Sequence, residues 1–347
     1  MSKYGYTQSD SDHNLFYMRR HEKIVVMIIY VDDMIITGDD QEKIKRLEKK
    51  LSEEFEMKDL GGLKYFLGIE VVRSKEGISL SQRKYVLDLL TETEMLDCKP
   101  VDTPVVQNLK LGEFPTQVPA NKERYQRLVG KLIYLSHTRP DIAYSVSLVS
   151  QFMHAPSEQH MEAVFRILRY LKGAPGRGIY FKRNGHLRVE GYTDSDWAGD
   201  ITDRKSTSGY FTFVGGNLVT WRSKKQKVVA LSSAEAEFMG IAKGLQELIW
   251  LKKIMSELGF DPSEGMKLFC DNKAAIAISH NPVQHDRTKH IEVSRHFIRQ
   301  NLEENVISLP FVRTGDQLAD ILTKGVSGAI FHDALGKLGM TDIYAPT

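Results

Sequence analysis

Two groups of acidic residues stand out in this 347-residue chain by where they fall. The first is the adjacent pair Asp32 and Asp33 in YVDDMIITG, placed between the apolar runs IVVMII and MII. An unpaired carboxylate in an apolar setting is costly, and two like charges side by side cost more unless a cation compensates them. A tight turn usually brings Gly, Asn or Pro, yet the first such residue after Asp33 is Gly38. The second group is spread along the C-terminal half: Asp194 in GYTDSDW, Glu237 in SSAEAEF, Asp271 in LFCDN and Asp320 in DQLADIL. Carboxylates that converge without balancing bases repel one another. Hard divalent cations such as Mg²⁺ or Mn²⁺ relieve that repulsion, because they prefer oxygen ligands. Two such ions about 4 Å apart can activate a water and stabilise a leaving oxygen in phosphodiester hydrolysis. Taken singly, each residue has a plainer reading. Glu237, close to Glu235, could be a solvated helix residue; Asp320 could be a favourable charge in a first helical turn; Asp196 could stand in for Asp194.

The elements that must position these groups follow from periodicity. Residues 24–37 read as a strand, a tight acidic turn and a second strand. QEKIKRLEKKLSEEFEM (41–57) reads as an amphipathic helix with Ile44, Leu47, Leu51 and Phe55 on one face. Residues 60–82 read as a hairpin and 83–96 as a helix. The Pro-rich stretch 98–123 reads as an extended linker, and 124–172 as helices that end at the break GAPGRG. Three short strands then carry HLRVEGYTDSDWA, TSGYFTFVGG and LVTWRSKK. A long helix over 232–258, capped by Ser232 or Ser233, follows. A strand ending at Asp271, two helices, the strand VISLPFV and the start of a terminal helix complete a mixed sheet flanked by helices. The fold class expected is α/β (α+β), in three parts: 1–97, 98–186 and 187–347.

Composition sets bounds on function. The net charge of +2 gives no global pull toward nucleic acid, so any such argument is local. WRSKKQK supplies one, with Arg222, Lys224, Lys225 and Lys227 beside an aromatic; it could grip phosphates or be a solvated hairpin end. Cys98 and Cys270 are too few for a disulfide framework and lack metal-ligand spacing, which points to a reducing compartment. The longest apolar run, Ile24 to Val31, is too short to cross a bilayer.

These motifs carry a resemblance. YVDDMIITG resembles the acidic motif of reverse transcriptases of the Ty1/copia retrotransposon class. GYTDSDWAGD, RKSTSGYFTFVGGNLVTWRSKKQ, LSSAEAEFMG, CDNKAAI, KHIEVSRHFIR and TGDQLADILTK resemble, in that order, the ribonuclease H domain of the same class, and the chain looks like the C-terminal part of its Pol polyprotein. The resemblance implies Mg²⁺-dependent cleavage of RNA in an RNA–DNA hybrid. Asp194 would bridge two ions, Glu237 and Asp271 would complete one shell, and Asp320 the other. It also implies that Asp32 and Asp33 bind Mg²⁺ at a polymerase palm facing a primer-template, with residues 98–186 connecting to the ribonuclease H part. Many ribonucleases H carry a His just before the last carboxylate. RTGDQ has none, and the nearby His290 and His296 are left outside the catalytic set. Cytoplasmic particles and contact with N-terminal Pol segments are further implications.

The chain departs from the family at one point. Such polymerases need a third aspartate on an earlier palm strand, and Asp10, Asp12 and Glu22 lie in polar segments. The fingers and that strand are expected to be absent, so the alternative of a non-catalytic nucleic-acid-binding remnant stays open. The expected result of a primer-extension assay on the purified chain is no template-dependent synthesis; extension would contradict this reading.

Overall fold

Within KIVVMIIY the buried side chains are Val25 and Met27, two residues apart, as a strand with one covered face requires. This computed structural model describes residues 1–114, 116–262, 264–281 and 289–345. Strands β1 (Thr7–Gln8), β2 (Leu15–Arg20), β3 (Lys23–Tyr30) and β4 (Asp33–Gly38) form an antiparallel sheet in that order. Helix α1 (Gln41–Glu54) begins at Asp40, whose side chain accepts the Lys43 N–H at 3.2 Å. It covers Val25 and Met27 with Ile44, Leu47 and Leu51. Phe55, expected on the same face, lies just past the helix end and is exposed.

The chain divides into two compact units. The first comprises Met1–Lys64 with Ile249–Ser263; the second comprises Tyr65–Leu248 with Glu264–Thr347. In the second, β5 (Tyr65–Phe66), β6 (Ile69–Arg73) and β7 (Gly77–Ser81) form the expected hairpin region, followed by α2 (Arg83–Glu92). Helices α3 (Lys122–Leu135), α4 (Ala143–Ser150) and α5 (Glu158–Gly173) come next. Strand β8 (Arg177–Lys182), which the sequence reading missed, pairs with β7.

The second sheet of this unit is built from β9 (Val189–Ser195), β10 (Thr207–Val214), β11 (Asn217–Lys225), β12 (Met266–Phe269) and β13 (Ile307–Ser308). Its order is β11-β10-β9-β12-β13, with β12 parallel to both β9 and β13. The long helix α6 (Ser233–Glu257) follows β11. Helices α7 (Lys273–His280) and α8 (Lys289–Glu303) separate β12 from β13. The last helix, α9 (Gly328–Lys337), leads into β14 (Met340–Asp342), which returns to pair with β8. The mixed α/β class is as expected.

The three-part division is not. One hydrophobic core runs from Val86, Leu89 and Leu90 in α2 through α3–α5 to Phe211, Phe213, the segment Leu318–Leu322 and α9. The boundaries expected at 97/98 and 186/187 therefore fall inside a single packed body. The Pro-rich stretch is likewise no free linker. Val105 and Leu111 are buried, Ala120 N–H donates to Pro156 O at 2.9 Å, and Gly112 O sits 3.1 Å from His160 Nε2.

A buried charge pair ties this body together. Arg139 and Asp141 are at most 2% exposed, and Arg139 Nη2 lies 2.7 Å from Asp141 Oδ2. The Tyr170 hydroxyl donates to the same oxygen at 2.5 Å, and Arg177 Nη1 donates to that hydroxyl at 2.8 Å. Burial alone would raise the Asp141 carboxyl, but Arg139 outweighs it and holds it below its ordinary value. Removing one partner strands a buried charge. Arg139→Met is expected to destabilise the protein by about 3–5 kcal/mol in urea denaturation, and Arg139→Met/Asp141→Leu by less. An unchanged midpoint in the single variant would contradict the assignment.

Candidate active site

The strand register places two of the predicted carboxylates. β12 runs parallel to β9 with Phe269 opposite Tyr192. Two residues further along each strand, on the same face, stand Asp271 and Asp194. Asp194 is 2% exposed, on the penultimate residue of β9. Glu237 enters from the first turns of α6, whose N-cap is Ser232: its Oγ accepts the Glu235 N–H at 3.2 Å. The close approach of α6 to β9 depends on Gly240, where an added Cβ would lie 2.6 Å from Ser195 Oγ.

Asp320 comes from a 3₁₀ turn, Leu318–Leu322, not from the start of the last α-helix as expected. Gln317 pins that turn to β9 by donating Nε2–H to Thr193 O at 3.0 Å. Gly209 lets it sit against β10, since a Cβ there would meet Leu322 Cβ at 2.5 Å.

Two overlapping donor groups result. Asp194, Asp271 and Asp320 each offer an oxygen, and these atoms lie within 4.8 Å of one another; the same holds for Glu237, Cys270 and Asp271. The four carboxylates singled out by sequence are thus brought together. Asp196, the alternative to Asp194, belongs to neither group: its Oδ1 accepts the Thr207 N–H.

The electrostatics reflect the crowding. Burial, then the charges of Asp194 and Asp271, push the Glu237 carboxyl far up. Burial and Asp194 raise Asp320 as well, against the opposing pull of Lys324. Burial likewise takes Asp196 up to about 7. The Cys270 thiol is pushed up to about 12 by burial and by Glu237, so it stays protonated. The donors on offer are therefore carboxylate oxygens, which suit a hard divalent cation.

Sequence reasoning missed two residues here. Thr323 Oγ1 donates to Asp194 Oδ2, and Lys324 Nζ lies 2.9 Å from Asp320 Oδ1 and 3.7 Å from Asp194 Oδ2. The spacing of Lys324 four residues after Asp320 was the available signal.

The basic cluster is only partly as expected. Lys225 is neutralised by Asp200 at 2.6 Å and Asp203 at 3.0 Å. Trp221, its neighbour on that face, is half-buried and donates Nε1–H to Ser136 O at 3.0 Å. Arg222 and Lys224 point to the opposite face and are exposed, as is Lys227. His296 is exposed; the side chain of His290 lies outside the described residues.

In the other unit, Tyr30 pairs with Asp33 across a two-residue turn of Val31 and Asp32. The sequence lacks a turn residue here, and Val31 takes the left-handed conformation at φ 52° instead. That costs a β-branched residue of order 1–3 kcal/mol, a strain typical of functional sites. Asp32 and Asp33 are exposed, and among the described residues no third ligand joins them in a group able to hold an ion.

Residues 1–107 match the family described as Reverse transcriptase (RNA-dependent DNA polymerase). The chain is 43% identical over 98% of its length to a retrovirus-related Pol polyprotein from transposon RE1 of Arabidopsis thaliana, of which it spans 23%. It is 32% identical over 72% of its length to a putative transposon Ty5-1 protein of Saccharomyces cerevisiae, of which it covers 82%. A crystal structure of LC11-RNase H1 in complex with RNA/DNA hybrid aligns with 39% of the chain and 94% of that protein, at 14% identity and a TM-score of 0.30.

The raised carboxyls predict a pH dependence. A carboxyl whose pKa is higher in the fold than in the unfolded chain stabilises the fold at low pH. That contribution fades as pH climbs from the ordinary carboxylate range through the folded value. The melting temperature without divalent cations should therefore fall from pH 5 toward pH 8. Glu237→Gln should raise it and flatten the fall, and added Mg²⁺ should do the same for the parent. A parent curve that is flat without cations would contradict the crowding argument.

Proposed function

The chain belongs to the Ty1/copia family of retrovirus-related Pol polyproteins, and on that footing we propose that its carboxylate cluster cleaves the RNA strand of an RNA–DNA hybrid with the help of divalent cations. The observation that carries the proposal is the convergence of Asp194, Asp271 and Asp320, with Glu237 beside them, from four separate segments of the chain. A copying reaction that reads RNA into DNA leaves such a hybrid, so the two motif sets fit one reaction sequence.

Asp194, Glu237, Asp271 and Asp320 would hold two Mg²⁺ or Mn²⁺ ions. Such ions supply an activated water and stabilise the leaving oxygen. The chain's own contribution is position. Thr323 fixes one Asp194 oxygen, Gln317 holds the Asp320 turn on β9, and Gly240 brings Glu237 within range. Lys324, held above its ordinary pKa by Asp194 and Asp320 despite its burial, offsets part of the negative charge. Exposed Arg222, Lys224 and Lys227 remain candidates for phosphate contact, whereas Lys225 is engaged by Asp200 and Asp203.

A different reading holds for the first unit. Among the described residues no third ligand joins Asp32 and Asp33, which favours a non-catalytic hairpin; polymerisation would then need a further carboxylate.

The test is cleavage of a labelled RNA–DNA hybrid in Mg²⁺ and in Mn²⁺. Asp194→Asn, checked for folding by circular dichroism, is expected to cut about 100-fold more slowly or worse, since loss even of an outer-shell partner of a metal ligand typically costs about 10–100-fold. A folded parent that binds the hybrid and leaves it intact would favour the remnant reading instead.

A further inference from the structure

Lys243 lies in α6, six residues beyond Glu237. Its ammonium nitrogen is buried and has no hydrogen-bond partner among the described residues. Burial first, and then the nearby charges of Lys224 and Arg222, both cations, bring it down to about 8.

The register explains why the three meet. Arg222 stands opposite Tyr210 and Lys224 opposite Ser208. Tyr210 faces α6, because its hydroxyl donates to Glu247 at 2.7 Å. Arg222 and Lys224 therefore face α6 too, and Lys243 reaches toward them from the helix. The three cations meet between α6 and β11, the edge strand of the sheet. Glu247, one turn past Lys243, accepts that Tyr210 hydroxyl.

A buried cation without a counter-charge is expensive, and two further cations beside it make it more so. An anion beside the three removes the cost. We propose that Lys243, Arg222 and Lys224 form a phosphate-binding site for the backbone of the nucleic acid whose RNA strand is cut at the carboxylate cluster. This rests on the hydrolase reading above. Six residues of helix rise by about 9 Å, so the backbones of Glu237 and Lys243 are near enough along α6 for one duplex to reach both.

The test uses Asp194→Asn, in which cleavage is expected to be slowed about 100-fold or more, with and without Lys243→Met. Hybrid binding is followed by fluorescence anisotropy across a salt series. Lys243→Met is expected to weaken binding by about 10-fold and to make the salt slope shallower by about one. Its melting temperature should rise, since an unpaired buried cation is gone, so lost binding is not lost fold. Equal affinity and an equal slope would overturn the proposal. If the protein without Lys243→Met binds no hybrid at all, the hydrolase reading fails, and a thermal shift with inorganic phosphate decides the anion site alone. Protection that vanishes in Lys243→Met would sustain it; protection of both proteins or of neither would overturn it.

Discussion

Like charges forced together in a buried place are the constraint on which the larger unit depends. Asp194, Asp271 and Asp320 present oxygens within 4.8 Å of one another, and burial raises the penalty for each charge. Left to itself, a chain would let these segments drift apart. The parallel register of β9 and β12, the glycines at 209 and 240, and the Gln317 bond to β9 all act against that drift. The protein holds the groups close and leaves the repulsion to be relieved by protons, by Lys324 and, in the reading offered here, by cations.

The handling of other charges in the same unit sharpens the contrast. Arg139, Asp141, Tyr170 and Arg177 form a closed network in which each buried charge has a partner. Lys225 is likewise satisfied, by Asp200 and Asp203. On the other face of β11, Lys243 is not. At the carboxylate cluster and beside α6, by contrast, like charges are left facing one another, and a ligand of opposite charge would complete them.

Much of this was legible in the chain itself. Alternation revealed β9, β10 and β11, a 3.6-residue period revealed α1 to α3 and α6, and the acidic residues fell at element ends where convergence is feasible. Other features were not legible, for physical reasons. β8 and β14 depend on pairing across more than 150 residues, which no local pattern encodes. The turn around Asp320 resembles a helix in composition but closes as 3₁₀ under the pull of Gln317 and Gly209. The domain limits misled because Pro-rich composition suggests a free linker, while Val105 and Leu111 bury themselves in the common core. The basic run read as one patch, yet strand alternation sends Lys225 to one face and Arg222 and Lys224 to the other.

The most direct measurement is anomalous scattering from crystals soaked in Mn²⁺. The account predicts manganese peaks between Asp194 and the oxygens of Asp271 and Asp320, with Lys324 displaced from Asp194, and none at Asp32 and Asp33. A well-ordered cluster that stays free of manganese at concentrations supporting nucleases, or a peak confined to the Asp32–Asp33 hairpin, would contradict it.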